Sequence, residues 1–338
     1  MFYVYSIINI IDKILFIVIQ IMYCIVSPFT KTFDDAGLTY FIPDFLEWEI
    51  KIWNIVEVPL KTSIEIAVVI KVINITDIEK SKIKSIISIK NSNIFLQKYQ
   101  QSILSWLPSH YFTAIHNSLN LFFPKNLKDK ISKGKIDKEI EKNSTNMYSY
   151  NINNKILLSK TQDEAYNAIK QSRNNKILLY WVTWSWKTEI YIKLIKEQLD
   201  HWNQSLFLIP EIILTNQIAM RIKDVFWDQV LIINSTISDA VKTKSRINIY
   251  NWNAKIIIGT RSALFYPFKN LWLIIIDEEH DNSYISDSQV RYNGVEVAEK
   301  ITELNKNKLI LASGTPSIKS MYKWVRWEYE LVYLLNKY

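Results

Sequence analysis

The sequence predicts an α/β chain in which a parallel-sheet lobe follows a small β-rich domain and a short helical unit. Three observations carry this. From residue 156 onward, short apolar runs (ILLYW, SLFLIP, QVLIIN, KIIIG, LWLIIID, KLILAS) alternate with stretches of helical spacing. That is the pattern of a parallel sheet covered on both faces. Residues 30–72 carry short alternating, β-branched runs instead, in FIPDFLEWEIKIWNIVEVPL and TSIEIAVVIKV, which reads as a β-domain with turns between strands. Residues 96–124, LQKYQQSILSWLPSHYFTAIHNSLNLFFP, place apolar and aromatic residues at helical spacing.

The expected organisation is therefore a β-rich domain over 1–95, a helical unit over 96–124, a linker over 125–155 and the α/β lobe over 156–338. The linker follows from KNLKDKISKGKIDKEIEKNSTNMYSYNINNK, which is charged and polar with few apolar residues. The first 25 residues are harder to place. Ile14 to Val26 is an almost unbroken apolar run, short of the roughly 20 residues of a membrane span, and Asp12 and Lys13 block its extension upstream. Buried strands or a core helix are expected there, with a membrane anchor as the alternative, and no membrane partner is expected.

The chain has 338 residues, 49% of them hydrophobic and 22% charged, so two or three domains with sizeable cores are expected. Cys24 is the single cysteine, which excludes a disulfide framework and a cysteine-rich zinc site and fits a reducing, cytoplasmic setting. The net charge of +8 fits a polyanionic partner such as nucleic acid, or a lysine-rich composition and nothing more.

Glycine usage is anomalous. A typical share of about 7% would give roughly 24 glycines; the chain has 5, and it has 12 tryptophans. In WVTWSWKT, residues 181 to 188, replacing tryptophan by glycine gives GVTGSGKT, a full match to the phosphate-loop pattern G-x-x-x-x-G-K-[ST], placed after a strand and before a helix as that pattern requires. Glycine there lets backbone N–H groups approach phosphates. Lys187 would reach the β- and γ-phosphates of ATP and Thr188 would hold Mg²⁺, with Trp181, Thr183, Trp184, Ser185 and Trp186 forming the cradle. Read literally, the indoles fill that cradle. Trp48, Trp53, Trp202, Trp227, Trp252 and Trp327 also stand where turn or helix-ending glycines belong. Some bacterial lineages read UGA as glycine and others as tryptophan. The expectation is that these tryptophans are glycines written in the wrong code, with Trp106, in an aromatic helical stretch, a genuine tryptophan.

Further motifs follow strands. LIIIDEEH ends a buried strand in acids: Asp277 suits Mg²⁺ and Glu278 suits activation of an attacking water. Thr260 and Arg261, in IIIGTRSALF, suit contact with a nucleic-acid backbone. Ser313 and Thr315, in LASGTPS, are small hydroxyl residues suited to sensing a γ-phosphate and relaying it to bound DNA. Gln162, in LSKTQDEA, lies before the first strand, where an adenine-reading glutamine would fall.

In order, these motifs resemble the first RecA-like lobe of a superfamily 2 helicase. LFLIPEIILTNQ, IIIGTRSALFYPFKNLWLIIIDEEHDNSY, VRYNGVEVA and SGTPSIKSMYKWVRWEYELVYL are similar to the primosomal protein N′ family of replication-restart helicases. LTYFIPDFLEWEIKIWNIVEVPLK resembles that family's 3′-end DNA-binding domain, and SILSWLPSHYFTAIHNSLNLFFPKNL its winged-helix region. The resemblance implies an ATP-dependent 3′-to-5′ DNA helicase acting in replication restart and primosome assembly. It implies ATP and Mg²⁺ as cofactors, branched and single-stranded DNA as ligands, and replication-restart proteins and single-stranded DNA-binding protein as partners. It also implies an aromatic loop, including Tyr284, Arg291 and Tyr292, that couples DNA contact to ATP hydrolysis. The family continues with a zinc-binding insertion, a second RecA-like lobe and a C-terminal domain, and none of these is in the sequence. The zinc ligands are absent from this chain, and without the second lobe's arginine it is expected to bind nucleotide with negligible hydrolysis. The alternative is a non-catalytic DNA-binding remnant with a disabled ATP site.

Overall fold

The computed structural model describes residues 22–30, 37–91, 96–142, 156–181, 187–210, 217–234 and 236–334. The chain forms two compact units, 1–93 and 94–338.

The first unit is a five-stranded antiparallel sheet of β1 (Tyr23–Pro28), β2 (Leu38–Phe41), β3 (Ile55–Leu60), β4 (Ser63–Ile73) and β5 (Ser88–Asn91), in the order β2-β1-β4-β3-β5. The end of the apolar N-terminal run is thus a strand, and an internal one. Its continuous hydrophobicity follows from pairing on both edges and burial of most of its side chains. Residues 14–21 of that run lie outside the described residues. Cys24, Val26, Val56, Val58, Ala67 and Val69 form the core of the unit. Burial pushes the Cys24 thiol up to about 12, so it is an inert packing group.

The second unit opens with four helices, α1 (Lys98–Tyr111), α2 (Ile115–Phe122), α3 (Lys125–Ser132) and α4 (Ile136–Lys142). The last two correct the expected linker over 125–155. Leu127, Ile131 and Ile136 are buried, so a sparse apolar stripe at helical spacing suffices to dock a segment whose other face is solvated. Residues 143–155 lie outside the described residues. Polar contacts join α1 to the lobe: Tyr99 Oη donates to Tyr266 O at 3.1 Å, and Gln100 Nε2 donates to Phe265 O at 3.1 Å and Tyr266 O at 3.0 Å. This helical region therefore belongs with the lobe.

The lobe is a seven-stranded parallel sheet: β6 (Lys176–Trp181), β7 (Gln204–Leu208), β8 (Val230–Ile233), β9 (Ile256–Gly259), β10 (Leu271–Asp277), β11 (Lys308–Ser313) and β12 (Glu330–Leu334). The order is β12-β6-β11-β10-β7-β9-β8, with every pairing parallel. Its helices are α5 (Lys160–Gln171), α6 (Thr188–Asp200), α7 (Gln217–Phe226), α8 (Asp239–Tyr250), α9 (Gly294–Asn305) and α10 (Ile318–Val325). Consecutive β6 and β7 are separated by β11 and β10. That reversal opens a crevice at the C-terminal ends of β6, β11 and β10, where ligands of α/β sheets bind. Among the described residues no helix is long and apolar enough to cross a membrane.

Candidate functional site

The ends of three strands meet at the crevice. After β6 comes the tryptophan-rich loop, of which Thr183, Trp184, Ser185 and Trp186 lie outside the described residues. Trp181 ends β6, and Lys187 and Thr188 open α6. After β10 come Asp277, Glu278, Glu279 and His280. After β11 come Ser313, Gly314 and Thr315.

Lys187 is the hub. It is 7% exposed, and its Nζ lies 2.6 Å from Asp277 Oδ1 and 2.8 Å from Glu278 Oε1. A buried lysine is tolerable only with such partners. Asp277 is 2% exposed and also accepts from Tyr191 Oη at 3.0 Å. Burial raises the Asp277 carboxyl above its usual range, against the opposing pull of the Lys187 charge. Tyr191 is held well above its ordinary value by burial and by the Asp277 charge, so it stays a donor. Glu278 takes a left-handed backbone, φ 49°, which turns the chain sharply at the end of the strand.

The Trp181 ring lies over this cluster, its centroid 3.7 Å from Lys187 Nζ. Its indole N–H is buried with no partner, and its ring carbons pack against Gly314. Thr188 is half-buried on the first turn of α6. Gln162 is buried on α5, where its Oε1 accepts from Ser159 N at 2.8 Å and closes a capping box.

The loops after β10 and β11 are tied together. His280 Nδ1 and Ser313 Oγ are 2.7 Å apart, and Ser313 Oγ accepts from Thr315 N at 3.0 Å. Glu279 accepts from Ser317 N (2.7 Å), Ser317 Oγ (3.1 Å) and Ser320 Oγ (2.9 Å), which fixes the start of α10 to the end of β10. Sequence reasoning missed Tyr191, Glu279 and His280 as site residues. Tyr191 carries a legible signal, since it stands one helical turn after Lys187; Glu279 and His280 sit inside the quoted acidic string.

Thr260 is buried and follows β9, and Arg261 donates to Ser283 O and lies 3.4 Å from Asp287 Oδ1. Arg291 and Thr315 are exposed. Tyr284 and Tyr292 are not: they are 1% and 2% exposed. Tyr284 Oη donates to Asp277 O at 2.6 Å and Leu208 O at 3.2 Å, and Tyr292 packs edge-on against Phe265. In this arrangement neither ring reaches a ligand directly. Tyr284 instead braces the Asp277 backbone.

Family comparisons agree with this layout. Residues 159–324 match the DEAD/DEAH box helicase family, and residues 28–124 match the 3′ DNA-binding domain of PriA. The replication restart protein PriA of Rickettsia conorii is 33% identical over 93% of this chain and 46% of its own length. The PriA proteins of Rickettsia prowazekii (34%; 78% of this chain, 39% of the relative) and Bacillus subtilis (37%; 53% and 23%) are similar. The chain thus spans about half the length of the curated relatives it matches most extensively. A crystal structure of T4 UvsW aligns more loosely, at TM-score 0.39 and 19% identity over 60% of this chain and 38% of that one. The parallel sheet is a RecA-like helicase lobe, and β2 to β5 of the antiparallel sheet lie within the 3′ DNA-binding match, which begins at the last residue of β1. With both matched regions in sequence order and the relatives spread along nearly the whole chain, the chain belongs to the family of replication restart protein PriA and corresponds to its N-terminal portion.

Proposed function

We propose that the chain is the DNA- and nucleotide-binding part of a replication-restart helicase. It binds ATP with Mg²⁺, engages branched and single-stranded DNA, and serves 3′-to-5′ translocation in primosome assembly alongside replication-restart proteins and single-stranded DNA-binding protein. The observation that carries this is Lys187 seated between Asp277 and Glu278 at the crevice of a parallel sheet. A lysine after a phosphate loop, paired with strand-end acids, is an ATP site at rest: the amine sits on the acids until phosphates replace them.

The described residues fit the nucleotide in charge. Lys187 would hold phosphate oxygens, Thr188 and Asp277 the Mg²⁺, and Glu278 the attacking water. Among the described residues no cluster of three or more acidic, histidine or cysteine side chains could hold a metal alone, which suits an ion that keeps its waters and takes substrate phosphates as ligands. When bound, Mg²⁺ supplies neutralisation of charge on the β- and γ-phosphates. Glu279 and His280 keep the β11 loop and α10 in register with the acids.

Trp181 does not fit. Its ring covers the Lys187 amine and its N–H is left unpaired, and this favours the second reading, a DNA-binding remnant with a disabled ATP site. Glycine at 181, 184 and 186 removes that conflict. The test is equilibrium binding of a fluorescent ATP analogue with Mg²⁺ to the written chain and to its Trp181→Gly/Trp184→Gly/Trp186→Gly variant. The variant is expected to bind at least a hundredfold more tightly. A folded glycine variant that fails to bind ATP sinks the enzymatic reading, and UGG codons at the three positions sink the recoding.

A further inference from the structure

A cleft of about 540 Å³ opens between α3 and the start of α8, beyond the ends of β8 and β9. Its lining includes Asn120, Lys125, Lys128, Lys242, Arg246 and Ser262, and the one carboxylate in that lining is Asp239. Asp239 pairs with Lys242 at 3.3 Å, so the remaining cations leave the lining strongly positive. Two helices, α3 and α8, begin at its wall with Lys125 and Asp239, adding the positive ends of their dipoles.

Arg246 is the decisive residue. It is 3% exposed. Its Nη1 donates to Phe265 O and its Nη2 to Leu121 O, both at 2.9 Å, and its guanidinium lies 4.3 Å from the Tyr266 ring centroid. Its Nε is buried with no hydrogen-bond partner, and none of these contacts is a carboxylate. Arg246 clearly helps hold the helical region on the lobe. That role explains its two carbonyl bonds, but it leaves a buried charge without a counter-charge, which is expensive in a protein interior. Burial lowers the Arg246 pKa to about 10 and lowers Lys128 as well, the direction an anion in the cleft would reverse. Lys128 rests on Asn120 Oδ1 at 2.7 Å. Lys125 is exposed at the cleft wall.

We infer that this cleft seats a backbone phosphate of bound DNA, held by Lys125 and Lys128 above the buried Arg246. Ser262 places it directly after Thr260 and Arg261, so the seat extends the strand-end residues toward the helical region. The inference rests on the DNA-binding reading above and adds a location to it.

The test is fluorescence anisotropy of a labelled duplex with a single-stranded 3′ arm, titrated with the chain across a range of salt concentrations. Each phosphate contact contributes about 0.9 to the slope of log K against log salt. Because the seat neutralises one phosphate, Lys125→Ala/Lys128→Ala is expected to lower that slope by about one and Lys125→Ala alone by part of that with a loss of affinity, and with an unchanged thermal midpoint for the single variant. The exposed Lys125 keeps the test readable where the double variant folds poorly. Wild-type slope and affinity in a folded Lys125→Ala overturn the seat while leaving DNA binding intact; absence of DNA binding by the wild-type chain overturns both readings. Inorganic phosphate is titrated separately by calorimetry. Phosphate binding lost in Lys125→Ala, with the DNA slope unchanged, identifies a free-anion site and overturns the DNA assignment.

Discussion

The end of α3 and the ends of α6, α8 and α10 share one backbone motif and differ in one residue. After α3, Gly134 takes φ 62°, its N–H bonds Ile131 O, and Lys135 N–H bonds Lys130 O. That is the Schellman closure, in which a left-handed residue after the cap returns two hydrogen bonds to the last turn. After α6, Trp202 (φ 60°) bonds Leu199 O and Asn203 bonds Gln198 O. After α8, Trp252 (φ 65°) bonds Ile249 O and Asn253 bonds Asn248 O. After α10, Trp327 (φ 62°) bonds Trp324 O and Glu328 bonds Lys323 O. Trp53 and Trp227 are left-handed as well, at φ 75° and 46°. A left-handed conformation costs a residue with a Cβ about 1–2 kcal/mol, and a bulky residue there is an outlier. Five tryptophans thus hold a backbone conformation that favours glycine. Trp106 is the contrast: it lies inside α1, outside the left-handed set, with its ring stacked on His110 at 4.3 Å.

The largest single effect is expected where strain has least to offset it. Trp327 is 87% exposed, so its indole contributes little burial. Trp327→Gly should stabilise the chain by about 1–2 kcal/mol, read as a shift in the urea midpoint at constant m. The reverse change, Gly134→Trp, should cost a similar amount. A Cβ at Gly134 meets nothing within 4 Å, so its cost is backbone alone. Neutral outcomes at both positions would break the comparison.

The same strain should be independent of pH, whereas the packing of α10 is not. Burial alone would raise the Glu296 carboxyl, but hydrogen bonds from Lys319 and Tyr111 and the Lys319 charge outweigh it and hold the group at about 2. A carboxyl lowered in the folded state contributes stability that is fully present above its unfolded value near 4.5. That contribution is lost as pH falls toward 2. Total stability should therefore decline over that window while the Trp327→Gly gain stays constant. A gain that vanishes with the Glu296 contribution would mean that Trp327 acts through α10 packing.

These helix ends were legible in the sequence because each tryptophan stands where helical spacing stops. The lobe was legible too, since fully buried parallel strands such as β10 read as unbroken apolar runs. Other features were not. Segment 125–142 buries Leu127, Ile131 and Ile136, a stripe too sparse to stand out among lysines. Tyr284 and Tyr292 read as loop aromatics, and nothing local shows that Asp277 O and Phe265 receive them. Arg246 lies in a lysine-rich helix that reads as solvated, and its burial depends on Leu121 and Phe265, distant in sequence.

A smaller gain is expected at Trp252. Strain relief and removal of its orphaned indole N–H favour glycine, but the half-buried ring gives back apolar burial of about 25 cal/mol per Å². The net should be about 1 kcal/mol, and replacement by Asn, which tolerates the left-handed region, should recover part of it.

The smallest effects separate strain from exposure. Trp202 is left-handed and 54% exposed, and Lys255 Nζ lies 3.9 Å from its ring centroid. A cation–π contact between the buried Lys255 and this half-exposed ring, worth about 1 kcal/mol, offsets much of the strain, so Trp202→Gly should gain only about 0.5 kcal/mol. Trp48 is 88% exposed and does not belong to the left-handed set. With no strain to relieve, Trp48→Gly should be neutral or lose up to about 1 kcal/mol of backbone entropy. Measured side by side, Trp202 and Trp48 decide the point. If both gain equally, the common cause is removal of an exposed indole; if Trp202 alone gains, the cause is the backbone, which requires glycine there whatever letter is written.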